Sequence, residues 1–298
     1  MKVKDLLYKI KMCRKRHKTV SLSRSKAGTF AIFLFLLVIA VIMSVPLIYT
    51  ILQSVKPLEE YYIYPPKFFV MNPTSENYTQ ILSLVDTLGT PFTRYLFNSV
   101  FITVVGTVLS LFLALITAYP LAKSNIRGVK LLNGLIVLAM LFHNDTMSML
   151  RYVVISKLGL ADTYWAIILP NLASTMGIFL LVQFIQGNVP NSVLEAARMD
   201  GAGEFTILFK IVAPSVKAGW LTVFIFVFQS YWNMGDSAYI YSEELKTIST
   251  ALTSIVSSGI TRAGVGMAVT LILMIPTVLI FLWNQGSIMK TMAHSGLK

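Results

Sequence analysis

From Ala27 to Val55 the chain carries no charged residue. At 1.5 Å per residue, a helix of that length exceeds the roughly 30 Å hydrocarbon core of a bilayer, so the run reads as a membrane span with residues to spare. Its Pro46 reads as a kink, because neighbouring groups re-satisfy the backbone that a proline frees. Apolar runs recur from Tyr95 to Ala122, Leu131 to Arg151, Tyr164 to Ile185, Ala218 to Tyr239 and Ala263 to Gln285. The predicted fold class is all-α, a polytopic membrane protein with six transmembrane helices. Only 13% of the 298 residues are charged, about half the share in soluble domains.

Ten of the 25 Lys and Arg residues lie between Lys2 and Lys26, ahead of the first span. That is the positive-inside pattern of a cytoplasmic amino terminus, and it turns the formal charge of +12 away from nucleic acid and toward membrane lipid. Residues 1–26 fit either an interfacial helix, with Leu6, Leu7, Ile10 and Cys13 at helical spacing, or a basic topogenic tail. The apolar run that follows is too long for a secretory signal peptide. Residues 56–94 form a Pro-rich outside segment, long enough that part of it should pack on the rim of the spans. Residues 95–285 hold the other five helices, with a charged loop at 188–214, and 286–298 form a second cytoplasmic tail. This topology places 18 of the Lys and Arg residues inside and 7 outside. Cys13 is the single cysteine, so no disulfide framework exists.

The 188–214 loop separates two apolar runs yet carries Glu195, Arg198, Asp200, Glu204 and Lys210. Ionised side chains are costly in hydrocarbon, so this loop is aqueous. Ser192 and Glu195 have the spacing of a capping box, and Pro190 favours a helix start nearby. Gly201 and Gly203 stop that helix and permit a sharp turn. A second helix is expected from Glu204 to about Val212, ending before Pro214.

The same loop carries a resemblance. Glu195-Ala196-Ala197, then Asp200-Gly201, then Ile211 and Pro214 resemble the EAA loop of ABC-importer permeases, with Ala213 where that family usually has Leu. The bland alternative is an amphipathic hairpin without a docking role, and the multi-part spacing separates the two. Pro46-Leu47-Ile48-Tyr49, Ser54-Val55-Lys56-Pro57, Asn98-Ser99, Ala118-Tyr119-Pro120-Leu121-Ala122, Trp232-Asn233 and Ser295-Gly296-Leu297-Lys298 resemble the carbohydrate-uptake group, most closely the oligosaccharide permeases of Gram-positive bacteria. The resemblance implies the type I ABC-importer permease fold in the cell membrane. It also implies a second homologous permease subunit, an ATP-binding cassette ATPase dimer docked on the loop, and an extracellular solute-binding lipoprotein delivering the sugar. Two departures fall where substrate would be handled. Asn144-Asp145-Thr146-Met147-Ser148 replaces the usual Gly-Gly-Leu-Ile-Pro, and Met234 stands directly after Trp232-Asn233, where that family commonly has an acid, with Asp236 three after Asn233.

No G-x-x-x-x-G-K-S/T occurs, so this chain has no P-loop of its own. The three histidines, His17, His143 and His294, are too scattered for a metal centre, no cofactor is implied, and no catalytic constellation emerges. Counting inward at 1.5 Å per residue, Asn144, Asp145, Trp232, Asn233 and Asp236 fall in the outer half of the core. They supply the amide, carboxylate and aromatic groups that a sugar needs. The competing class is an ion-coupled secondary transporter using Asp145 and Asp236. The charged loop separates the two, since such a transporter does not need it.

Overall fold

The computed structural model describes residues 26–86, 89–124, 127–142, 144–234, 239–256 and 262–295, with the side chains of 26, 86, 144–146, 255 and 287–295 left aside. The basic tail to residue 25, His143, Asp236 and the closing 296–298 therefore lie outside the described residues, as do the side chains of Asn144 and Asp145. Within the described residues every regular element is helical. In order these are α1 (Lys26–Ser54), α2 (Leu58–Tyr61), α3 (Glu76–Asp86), α4 (Phe92–Lys123), α5 (Val129–Ala139), α6 (Asn144–Lys157), α7 (Tyr164–Asn171) and α8 (Thr175–Asn188). There follow α9 (Asn191–Met199), α10 (Glu204–Ile207), a π-helical turn (Leu208–Val212), α11 (Ala213–Ser215), α12 (Lys217–Trp232), a 3-10 turn (Glu243–Leu245), α13 (Ile248–Val256) and α14 (Ala263–Ser295).

The chain divides into two units, Met1–Tyr49 and Thr50–Lys298. In the first, α1 exposes apolar side chains along its whole described length, from Phe30 to Met43 and beyond. A helix apolar all round has no aqueous face, which is the signature of a membrane span. Four described helices are long and apolar enough to cross a membrane: Ala27–Ser54, Phe92–Lys123, Tyr164–Asn188 and Ala263–Gly286. A fifth results if Glu204–Ser215 and Lys217–Trp232 are taken as one bent span. The third expected run is divided. Its helix ends at Ala139 and a new one starts at Asn144, the polar stretch where the apolar pattern fails. That second helix continues to Lys157, so Arg151 sits inside α6 and not at its end. Two other boundaries differ from expectation: α12 stops at Trp232, well before Tyr239, and α14 runs on past Gln285 to Ser295.

In the second unit α4 is the central rod, packed on α8, α12 and α7. One buried cluster joins Ala114 and Ala118 of α4, Leu181 and Ile185 of α8, Leu194 and Ile207 of the charged loop, and Val223 and Tyr231 of α12. Packing between membrane helices relies on close approach and not on expulsion of water, so small residues sit at the contacts. Gly106 shows why. A Cβ there would lie 2.6 Å from the Tyr231 ring, and the ring's hydroxyl donates to the carbonyl of Ile168 at 3.1 Å.

A second cluster closes the end away from the charged loop, with Ile81 and Val85 of α3 against Tyr95, Leu252 and Val269. The long 56–94 segment thus does pack on the spans. Its seat is made by Asn77, whose Nδ2 donates to the carbonyls of Ser54 and Lys56, both at 2.9 Å. Lys56 is buried, bonded to the Lys67 carbonyl and lying over the Tyr61 ring. Asn98 and Ser99 hold the next connector: Asn98 Nδ2 donates to the carbonyls of Glu244 and Lys246, and Ser99 Oγ accepts from Ile248 N–H. Glycine at 106 is required by the ring facing it. Gly106→Ala is expected to destabilise the protein by about 1–3 kcal/mol through overpacking, read as a lower melting temperature of the detergent-solubilised chain, whereas Gly28→Ala, with nothing near it, leaves that temperature unchanged.

Candidate functional site

The charged loop folds as two helices around one left-handed residue. Pro190, extended at φ −66° and ψ 144°, precedes α9 and makes no side-chain cap. The capping box expected of Ser192 and Glu195 is therefore absent. The helix begins at Asn191 with Pro190 as the extended residue before it, which places Ser192 inside the first turn and out of the capping position. Leu194 and Ala197 are buried, one turn apart, while Glu195, Ala196, Asp200 and Gly201 are exposed. At the other end Gly201 N–H bonds the Arg198 carbonyl and Ala202 N–H the Ala197 carbonyl, both at 3.0 Å, with Gly201 at φ +79°. This is the paired closure that glycine makes possible at a helix C-terminus. Gly203 is extended and starts α10. Its role is to begin a helix, where the sequence had suggested a second stop.

Pro214 does not end the second helix. The chain widens into the π-helical turn over Leu208–Val212 and passes the proline to Ser215. A proline ring collides with the carbonyl four residues back in a regular α-helix, and the wider turn relieves that contact. Ile211 is half-buried and its carbonyl accepts from Ser215 Oγ at 2.6 Å. Val216 then breaks the path, and α12 leaves at 86°.

A brace that the sequence did not reveal fixes the two helices to α4. Arg198 Nε donates to Glu204 Oε1 at 2.8 Å, and Tyr119 of α4 donates to Glu204 Oε2 at 2.6 Å. Arg198 Nη2 also reaches the Tyr119 oxygen at 3.3 Å. Lys123 Nζ donates to Asn191 Oδ1, and Phe112 stacks on Phe209. The Arg198 guanidinium first, then the Tyr119 hydroxyl, hold the Glu204 carboxyl below its ordinary range. A lowered carboxyl pKa means that the brace is fully formed at neutral pH and is lost only as acid passes that lowered value. The pair is well exposed, so its role is alignment more than stability. Beyond it Met199 and Phe205 project, 88% and 69% exposed. The signal available in the sequence was Tyr119 within Ala118-Tyr119-Pro120, but nothing there named its partner.

Two breaks interrupt the apolar helices. One lies between α5 and α6; the other, at Leu172 to Ser174, lies between α7 and α8. Adjoining cavities of about 310 and 430 Å³ open at them, sharing Arg151, Thr175 and Met176 in their walls. Of the residues expected to handle substrate, the backbone of Asn144 and Asp145 begins α6 beside the first break. Trp232 is buried, stacked on Phe228, with Nε1 donating to the Leu273 carbonyl at 2.9 Å. Asn233 caps α12 and is exposed. Ser230 and Tyr231, just before Trp232, face the smaller cavity.

No family model matches the chain. Over 213 residues it is 35% identical to the polygalacturonan/rhamnogalacturonan transport system permease protein YtcP of Bacillus subtilis (strain 168), covering 70% of this chain and 71% of that one. Over 276 residues it is 26% identical to the arabinooligosaccharides transport system permease protein AraQ of the same organism, covering 90% and 95%. Its fold matches a chain in the crystal structure of a bacterial ABC transporter involved in the import of the acidic polysaccharide alginate, with a TM-score of 0.71 at 24% identity, over 88% of this chain and 98% of that one.

Gly201 is the position on which the loop geometry turns. Gly201→Val forces a β-branched residue into φ +79°, at a cost of about 1–3 kcal/mol. The variant should reach the membrane at parental abundance and lose solute uptake, and uptake at the parental rate would remove the turn from the mechanism.

Proposed function

The chain belongs to the permeases of sugar-importing ABC transporters and is an integral membrane protein, and on that premise we propose that it is one of two membrane subunits moving oligosaccharides into the cell. The observation that carries this reading is the braced loop. A short helix, a left-handed glycine and a second helix at right angles to α12 present Met199 and Phe205 outward, as a surface for a groove on an ATPase subunit needs. Glu195, Ala196, Ala197, Asp200, Gly201, Ile211 and Pro214 would form or shape that surface, with Tyr119, Arg198 and Glu204 aligning it. On this reading ATP is bound and hydrolysed by a dimer of separate chains, a second permease completes the pathway, and an external binding lipoprotein delivers the sugar.

The proposed topology has six spans, counting the divided run from Val129 to Lys157 as the third, with both termini and the braced loop cytoplasmic. Substrate would pass the helix breaks. The exposed Asn233 would meet it, Trp232 would hold the helix end that presents Asn233, and Asn144, Asp145 and Asp236 would add polar groups. The relatives are by name permeases of polygalacturonan/rhamnogalacturonan and arabinooligosaccharides transport systems, which supports an oligosaccharide substrate here.

Uptake of a labelled oligosaccharide should collapse when cellular ATP is depleted and survive an uncoupler. The reverse pattern would favour an ion-coupled carrier using Asp145 and Asp236. For topology, cysteines placed at Ser75 and Ser242 should react with an impermeant thiol reagent in intact cells, while one at Ser192 and the native Cys13 should not. Labelling at Ser192 from outside would put the docking loop on the wrong side of the membrane.

A further inference from the structure

The end of α4 remote from the braced loop presents two opposite charges that do not meet. Arg94, in the first turn of α4, donates from Nε to the main-chain carbonyl of Glu244 at 3.1 Å, and its two Nη groups have no partner among the described residues. Glu244 lies in the 3-10 turn, where its carbonyl also accepts from Asn98 Nδ2 at 2.8 Å. That holds its backbone while its carboxylate finds no partner among the described residues. Glu243 beside it differs, since its carboxylate accepts from the Tyr95 hydroxyl at 2.8 Å and pairs with Lys246. Arg94 and Glu244 are both exposed, and both line one open cavity of about 590 Å³ together with Thr90, Thr93 and Phe97.

The depth of this cavity narrows what can fill it. At 1.5 Å per residue the 32 residues of α4 make a rod of about 48 Å. A bilayer with its headgroups is roughly 40–45 Å thick, so the first turn of this span stands at headgroup level. Below Arg94 the helix turns apolar at once. Phe97, Phe101, Val104 and Val108 are exposed and descend one face of α4 at helical spacing, and the Phe97 and Phe101 rings stack at 6.0 Å. A charged cavity at headgroup level thus continues into an apolar stripe at the level of the acyl chains. A protein docking from the water could reach the first but not the second.

We infer that the cavity seats the headgroup of a phospholipid with a primary amine, phosphatidylethanolamine. Its phosphate lies on Arg94, its ammonium on Glu244, and one acyl chain along the stripe from Phe97 to Val108. A phosphate takes the planar fork of a guanidinium through parallel hydrogen bonds. A primary ammonium brings three N–H donors to a carboxylate, whereas the methylated amine of phosphatidylcholine brings none. A ligand with both charges satisfies both residues at once, which a purely anionic lipid cannot do. The inference rests on α4 crossing the membrane and not on the identity of the cargo.

The test measures lipid retained by the full-length chain, released from detergent and weighed by native mass spectrometry. The probes are phosphatidylethanolamine and phosphatidylcholine with the same acyl chains, and soluble phosphoethanolamine. The parental chain should retain phosphatidylethanolamine over phosphatidylcholine by roughly fivefold and should not retain phosphoethanolamine. Glu244→Ala leaves the main-chain carbonyl that holds Arg94 and should remove the preference between the two lipids. Arg94→Gln should weaken retention of both, and Arg94→Lys should restore part of it. Equal retention of the two lipids by the parental chain, or an unchanged preference in Glu244→Ala, would overturn the inference. Retention of phosphoethanolamine as strong as that of the lipid would overturn the lipid assignment by showing a site for a soluble ligand. So would a cysteine at Thr93 that is shielded from a thiol reagent only when an external binding protein is added, because the cavity would then belong to that protein.

Discussion

A carbonyl inside a bilayer must find a donor within the protein, and the hydroxyl of Tyr231 provides one. It donates to Ile168 at the point where α7 runs out and also lies within 3.3 Å of Ser110 Oγ. Three helices are tied at that ring. Gly106 of α4 makes room for it, the Ile168 carbonyl in the last turn of α7 accepts from it, and α12 carries it. Without such a donor the break between α7 and α8 would expose unsatisfied carbonyls, at a cost of several kcal/mol in hydrocarbon. The irregular backbone that opens the cavity therefore depends on a regular packing contact behind it.

The loop solves a different problem on the same rod. In water a left-handed glycine and an exposed ion pair cost little, but neither would hold two short helices in a fixed relation. Tyr119 supplies the rigidity, because it belongs to α4 and its hydroxyl meets Glu204 directly. The buried side chains Leu194, Ala197, Ile207 and Leu208 join the same core as α8 and α12. The outward residues Met199 and Phe205 are thus displayed from a base that the membrane helices anchor.

Most of the architecture was legible from apolar run lengths, because in a membrane one property, the lack of charge over a span, decides the element. Gly201 and the two-helix loop were legible for the same kind of reason: a charge cluster between spans and a residue that alone tolerates φ +79°. What escaped was tertiary. The pairing of Tyr119 with Glu204 joins residues 85 apart in the chain, and no local spacing encodes it. Ser192 and Glu195 had the right spacing for a cap, yet Pro190 took the position first. Pro214 looked like a terminator because the rule assumes a regular α-helix, and the wider turn at Leu208–Val212 sidesteps it. Arg151 looked like the end of a span because charge usually marks an end. Here the helix runs past it, and the charge belongs to a cavity.

The elbow at Val216 connects these two problems. Glu204–Ser215 and Lys217–Trp232 meet at 86° across one residue with φ −107° and ψ 31°. Both arms are internally hydrogen-bonded, so a load on the first arm reaches the second through this joint or through α4, which touches both. On the proposed reading an ATPase subunit would load the first arm at Met199 and Phe205. Near its end at Trp232 the second arm places Ser230 and Tyr231, about 20 Å from Lys217 at 1.5 Å per residue, in the wall of the smaller cavity. A rotation about Val216 would then move the Tyr231 hydroxyl relative to Ile168, and the break between α7 and α8 cannot stay as it is once that donor shifts. On that reading the Tyr231 ring would be one hydrogen-bonded link between the loop and the passage.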